Sequence, residues 1–249
     1  MKPLQVRFHG ALNDFLPLER RGVDFPFSPR SVGSVKDLIE SLGPPHPEVD
    51  VVCVDGEAVD ASHRPTEGQR LDVYPARFPL EPPPAVRWSP PPLDEPRFLL
   101  DVGLGRLAGL LRMLGFDTLW RNDWADDVLA RRSRDERRIL LTRDYGVLKR
   151  AEVEYGYFPR ETDPPRQLRE VVRHCQLLPR VRPFTRCIAC NAGLADASLD
   201  EVRDRVPERI QATFTRFQHC GGCGRVYWAG SHHTRMEALI ARLHADEST

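Results

Sequence analysis

The chain begins with short alternating stretches and passes to longer amphipathic periods. Gln5-Val6-Arg7-Phe8 alternates as a half-buried strand. Asn13-Asp14-Phe15-Leu16 reads as a turn, and Val23-Asp24-Phe25 reads as the second strand of a hairpin. Ser34 then stands as N-cap before Val35 to Leu42, whose apolar positions 35, 38, 39 and 42 mark one buried helical face. Gly43-Pro44-Pro45 stops that helix. Val51 to Val54 is a strand that turns at Asp55-Gly56, and Arg70 to Pro75 closes the set. The ββαββ order predicts a β-grasp domain over residues 1–78. Cys53, inside a strand, belongs to its core.

Residues 79–96 break every period. Pro79, Pro82-Pro83-Pro84, Pro90-Pro91-Pro92 and Pro96 exclude a helix or a central strand, and predict an extended, semi-rigid boundary between folded units. Trp88, in its middle, is apt to dock on one of them.

From residue 97 to about 179 apolar strands alternate with helical stripes. Phe98-Leu99-Leu100 runs into Asp101, and Ile139-Leu140-Leu141-Thr142-Arg143 runs into Asp144. Between them a helix through Arg106 to Leu114 carries the stripe Leu104, Leu107, Ala108, Leu111 and Leu114, with Gly115 placed to cap it. Phe116 to Trp120 is a second strand, followed by Asp126-Asp127 and a helix through Arg138. Gly146 to Ala151, Tyr155 to Phe158 and Arg166 to Cys175 give a short helix, a fourth strand and a last helix.

This alternation predicts a three-layer α/β/α domain on a parallel sheet. In such a sheet ligands bind beyond the carboxyl ends of the strands. A doubly wound order of 2-1-3-4 makes the ends of the first and third strands neighbours. Asp101 then faces Asp144, joined by Asp126 or Asp127 from the loop after the second strand. Converging carboxylates repel one another unless a cation neutralises them, and all-oxygen donors favour magnesium or manganese. N-capping of the following helix is the bland alternative for the Asp126-Asp127 pair. Gly103 and Gly105 allow close approach of a backbone or phosphate near the helix start.

In residues 180–249 the signal is cysteine spacing. Cys187-x-x-Cys190 and Cys220-x-x-Cys223 are two knuckles offering four thiolates, the donor set of a structural zinc. Ser198-Leu199-Asp200-Glu201 is a capping box for a short helix ending before Pro207. Phe214 to Gln218 and Arg225 to Trp228 flank the second knuckle as a hairpin, which predicts a zinc ribbon. Met236, Leu239, Ile240 and Leu243 stripe a closing helix, while Cys175 is assigned to packing.

Charge changes little, because 36 basic and 36 acidic residues cancel and so neither favour nor exclude nucleic acid. The bases are nearly all arginine, suited to bidentate phosphate contacts, although a GC-rich genome gives the same bias. No apolar run is long enough for a membrane span and no signal peptide is visible, so a cytoplasmic protein with no membrane partner is expected. In a reducing compartment paired cysteines favour metal over disulfides.

Two resemblances sharpen this. Val6 to Leu16 and the Val54-Asp55-Gly56 turn resemble the ubiquitin-like family that includes the small subunit of molybdopterin synthase. Those carriers act through a free Gly-Gly end. Here the last strand runs on into Ala76-Arg77-Phe78-Pro79, so the domain is expected to dock a protein partner or present a substrate. Phe98-Leu99-Leu100-Asp101, Leu104 to Ala108, Leu110 to Thr118 and Arg138 to Asp144 resemble the Mut-seven C-terminal ribonuclease-like domain, a branch of the PIN nucleases, from about 97 to 245.

The second resemblance implies a metal-dependent ribonuclease in which Asp101, Asp126 and Asp144 hold magnesium or manganese, with Asp127 the other choice. It implies that Thr142 positions a water or a carboxylate. Arg106, Arg112 and Arg143, near the motifs, are candidates for phosphate contacts, against a plain surface role. Gly230-Ser231-His232-His233-Thr234-Arg235-Met236 also matches, which makes His232 a candidate for phosphate binding or proton donation, against helix capping or packing. Typical PIN nucleases carry a fourth acid after the third strand, and Tyr145-Gly146-Val147-Leu148 has none. The alternative is therefore a non-catalytic RNA-binding adaptor built on the zinc ribbon and the ubiquitin-like domain.

Overall fold

The structure, a computed structural model, describes residues 2–28, 33–76, 79–80 and 84–247. Arg77-Phe78 and Pro82-Pro83, parts of the run-on and of the first proline run, lie outside the described residues. The chain forms two compact units, residues 1–94 with 125–158, and residues 95–124 with 159–249.

In the first unit five strands form a sheet of order β2-β1-β5-β3-β4: β1 Leu4–Phe8, β2 Phe25–Phe27, β3 Val49–Val54, β4 Glu57–Ala58 and β5 Arg70–Pro75. β1 pairs antiparallel with β2 and parallel with β5, which is the β-grasp arrangement. Helix α1, Val35–Leu42, starts as the sequence predicts, with Ser34 and Asp37 in a reciprocal capping box. It buries Val35, Leu38, Ile39 and Leu42. The expected turn at Asn13–Leu16 is wound tighter, into a 3₁₀ helix over Gly10–Phe15. Asn13 explains it, since its amide donates to the carbonyls of Phe8 and Gly10. Cys53 is half-buried rather than core, and burial with the nearby Asp72 pushes its thiol up.

The same unit contains α3 (Asp126–Asp135), β8 (Ile139–Leu141), α4 (Tyr145–Leu148) and β9 (Gly156–Tyr157), with β8 and β9 parallel. They are locked to the β-grasp domain. Buried Glu48 accepts from the Phe158 N–H at 2.7 Å, Lys149 donates to the Glu40 carbonyl at 2.7 Å, and His46 bonds the Val153 carbonyl at 2.9 Å. Phe15 sits edge-on to both Tyr145 and Phe158. The proline-rich segment is correspondingly no free spacer. The Trp88 indole donates to the Val59 carbonyl, Arg87 pairs with Asp50, and the Pro91 carbonyl accepts from the Tyr155 hydroxyl.

In the second unit β6 (Phe98–Leu100) and β7 (Thr118–Trp120) form a parallel pair joined by α2, Gly105–Met113. The predicted stripe Leu104, Leu107, Ala108, Leu111 and Leu114 is buried throughout. α2 packs on α5 (Pro164–His174), and α5 packs on the closing helix α8, Ser231–Glu247. The ribbon sheet has the order β10-β11-β12, from Leu194–Ala197, Phe217–Cys220 and Val226–Trp228. β10 is a strand the alternation did not announce, because its Leu-Ala-Asp-Ala carries little apolar contrast. Two four-residue helices, α6 (Leu199–Val202) and α7 (Glu208–Gln211), fill the interval between the knuckles.

Gly115 ends α2 in the left-handed region at φ +94°, and a Cβ there would lie 2.1 Å from the Arg182 carbonyl oxygen. Both the conformation and the approach require glycine. Gly115→Ala is expected to lower stability by more than about 1 kcal/mol, read as a depressed thermal midpoint. An unchanged midpoint would contradict the close packing of residue 182 on this turn. No helix among the described residues is long and apolar enough to cross a membrane.

Candidate functional site

Asp101 and Asp144 lie where a strand gives way to a helix. Asp101 follows β6 and caps the next turn, its Oδ1 accepting from the Val102 N–H at 2.5 Å. Asp144 caps α4 three residues beyond β8, with Oδ1 accepting from the Gly146 and Val147 N–H groups at 2.6 and 3.2 Å. Both bonds fall on Oδ1, and Oδ2 takes none among the described residues. Thr142 is fully buried, and its Oγ1 accepts from the Asp144 N–H at 3.0 Å. It therefore fixes the backbone that presents Asp144.

Asp126 and Asp127 open the first turn of α3, but Ala125 holds the cap position, so neither performs the N-capping expected of a plain structural aspartate. Asp127 is tied to Arg131 at 2.8 Å. Asp126 is exposed and forms no ion pair among the described residues, which separates the two acids that sequence left close together.

The arginines divide. Arg106 and Arg143 are exposed, and the Arg143 guanidinium lies over the Phe158 ring at 5.4 Å. Arg112 is buried instead. Its Nε donates to the Thr118 carbonyl and one terminal nitrogen donates to the carbonyls of Ile188 and Ala189. Its guanidinium packs α2 against the first knuckle and is not presented to a phosphate, a correction both to the phosphate contact and to the plain surface role considered for it. Burial lowers its pKa. His232 is exposed in the first turn of α8, while neighbouring His233 stacks on Phe184 at 4.1 Å. Of the two glycines, Gly103 borders open space, whereas Gly105 admits the Trp120 indole, which a Cβ would meet at 2.7 Å.

The four cysteines come together fully. Their sulfurs all lie within 4.8 Å of one another, so the cluster can hold a metal such as zinc. The two knuckles are one turn used twice. The Asn191 N–H donates to the Cys187 carbonyl and the Gly224 N–H to the Cys220 carbonyl, each at 2.9 Å, and Asn191 and Gly224 share φ of +73°. Burial opposes ionisation of Cys187, yet the Tyr227 hydroxyl and the N–H groups of Cys190 and Ala189 outweigh it and hold the thiol down at about 6. For Cys190, a hydrogen bond from the Ala192 N–H is overcome by burial and the three other sulfurs, which push it up to about 12. Four sulfurs this close cannot all ionise without a cation, so the donor set fits one.

Two residues that sequence reasoning passed over hold the cluster to the α/β layer. Asn191 accepts from the Thr118 N–H at 2.9 Å and donates to Asp117 at 2.7 Å, and Arg186 donates to the Gly115 carbonyl at 3.2 Å. The only sequence signal for Asn191 was its place directly after the first knuckle, where asparagine tolerates positive φ.

A family model described as Mut7-C RNAse domain matches residues 96–240, and one described as Mut7-C ubiquitin matches residues 1–81. No curated protein matches the chain, and no solved structure does.

Proposed function

The chain belongs to the Mut7-C RNAse domain family, and from that premise we propose that it hydrolyses RNA phosphodiester bonds with a divalent cation held by Asp101, Asp126 and Asp144. The observation that carries this reading is the repeated placement of an aspartate where a parallel strand meets a helix, with buried Thr142 fixing one of them. The donor set is all oxygen, which fits magnesium or manganese. Such a cation supplies Lewis acidity toward a phosphoryl oxygen and lowers the pKa of a bound water.

The chain's own residues supply position and charge. Asp101 and Asp144 are held rigid by the backbone N–H groups they cap. Arg106 and Arg143, both exposed, bind phosphates of the RNA backbone, and His232 contacts RNA at the start of α8. Zinc in the four-cysteine cluster is structural, since four thiolates leave no open position. A cytoplasmic setting suits it by keeping the thiols reduced. The ubiquitin-like domain, whose last strand runs on into further chain without a Gly-Gly end, docks a protein partner.

The test is cleavage of labelled single-stranded and structured RNA by the full chain with Mn²⁺, with Mg²⁺ and with neither. Products are expected only with the added cation. Helix α4 brings no fourth acid, so RNA bound equally well with and without the cation, and left uncut in both, would replace the nuclease with an adaptor.

A further inference from the structure

Beside the cysteine cluster the second unit has a cavity of about 380 Å³, large enough for a small flat ligand. The ribbon's register explains its floor. Asp196, Gln218 and Tyr227 are cross-strand partners in β10, β11 and β12, so they share one face. The next row, Ala197, Phe217 and Trp228, packs in the ribbon's own core with Val202 and Val206, and Phe217 and Trp228 also line the cavity. One wall of the cavity is the Phe184–His233 stack. The Gln218 amide donates to Asp196 Oδ1 across 3.3 Å, so a carboxylate and an amide stand together beside aromatic rings, and Arg216 reaches the same space.

We propose that this cavity is a subsite for one unpaired guanine base of single-stranded RNA; the proposal rests on the ribonuclease reading and names the substrate feature that this unit selects. Unpaired bases are bound by stacking on aromatic side chains and by hydrogen bonds to their Watson–Crick edges. Guanine presents N1–H and N2–H donors beside the O6 acceptor. A carboxylate takes the two donors, and an amide N–H serves O6. Adenine brings one donor next to an acceptor nitrogen, which places a lone pair against the Asp196 carboxylate.

The cavity also leads toward Asp101. A second cavity, about 590 Å³, shares Met113, Ile188 and Met236 with it and adds Arg225. A third, about 460 Å³, shares Arg106 and Pro164 with the second and is lined by Val102 and Gly103, directly after Asp101. The track follows the nine residues of α2, about 13 Å of helix at about 1.5 Å per residue. A strand seated in the ribbon therefore passes two arginines and reaches Asp101 within a few nucleotides.

The experiment is anisotropy titration of the full chain, without magnesium or manganese, against 5′-labelled uridine hexamers carrying one guanine, one inosine or one adenine. Guanine is expected to bind about tenfold or more tightly than adenine, with inosine between, because inosine lacks the N2 donors. Asp196→Asn is expected to level the series. Gln218→Ala should also reduce the preference, and both substitutions are near the surface, so zinc content and circular dichroism can confirm folding. Equal binding of guanine and adenine, no binding, or a preference that survives in Asp196→Asn overturns the subsite. Guanine preference without cleavage in Mn²⁺ sinks the nuclease reading and leaves the subsite standing; cleavage with no base preference does the reverse.

Discussion

Asp101→Asn is expected to reduce metal-dependent RNA cleavage by about three orders of magnitude while leaving the protein folded. An asparagine oxygen can still accept the Val102 N–H that Asp101 Oδ1 accepts now, so the turn after β6 keeps its cap. What disappears is the negative charge proposed to bind the cation. Cation stabilisation of the transition state is worth several kcal/mol, and about 1.36 kcal/mol is tenfold in rate. Asp144→Asn should behave alike, since its amide oxygen can serve the Gly146 and Val147 N–H groups. Asp127→Asn is the control, because Asp127 is paired with Arg131 and its loss touches only a partly exposed ion pair. Single-turnover rates in Mn²⁺, with RNA affinity and circular dichroism measured beside them, decide the matter. Wild-type rates in both Asp101→Asn and Asp144→Asn would remove the carboxylate mechanism.

Loss of metal from the cysteine cluster is expected to unfold the ribbon and loosen the α/β layer beside it. The ribbon's own core is small, with Val202, Val206 and Phe217 buried and a few partly covered neighbours, too little apolar area to stand alone. Structural zinc sites built on four cysteines contribute on the order of 10 kcal/mol to folding. The damage should spread because the first knuckle is tied to the α/β layer. Arg112 donates to the Ile188 and Ala189 carbonyls, and Asn191 holds the Thr118 N–H and Asp117. Cys187→Ser is predicted to abolish binding of one zinc per chain, to expose residues 187–228 to proteolysis and to lower the thermal midpoint by more than 10 °C, roughly the effect of several kcal/mol in a domain this size. Cys53→Ser, remote in sequence and outside the cluster, should retain the zinc. Full stability of a zinc-free protein would overturn the structural role.

The sequence carried much of the fold because its elements are locally consistent. The 35, 38, 39, 42 stripe and Ser34 produced α1, and the buried run 104–114 produced α2 to within a residue at either end. β5 appears at its predicted bounds. Errors fell where side-chain bonds to the backbone outweigh periodicity, as at Asn13, where a strand is weakly apolar, as in β10, and at strand starts, since β2 begins at Phe25 and β11 at Phe217, two and three residues later than expected. For the candidate site, spacing alone named the four cysteines, because two knuckles of fixed length have little else to do. It also put Asp101 and Asp144 at strand ends, since an apolar run that stops at an acid is the end of a buried strand.

Other features needed the folded chain. Asp126 is distinguished from Asp127 by which carboxylate α3 places within reach of Arg131, a matter of helical phase and rotamer that composition does not encode. Arg112 reads like Arg106 and Arg143 in sequence. Only the folded chain shows that its guanidinium is surrounded by carbonyls of residues 118, 188 and 189. The linker looked like a spacer because proline excludes helix and central strand, yet the docking of Trp88 and Arg87 depends on bonds to residues 59 and 50. The pairing of Asp196 with Gln218, and hence the guanine subsite, rests on strand register. Local periodicity determines which residues a strand turns to each face; which residues from distant strands stand side by side is decided by hydrogen-bond pairing between them, a long-range choice the tertiary structure makes.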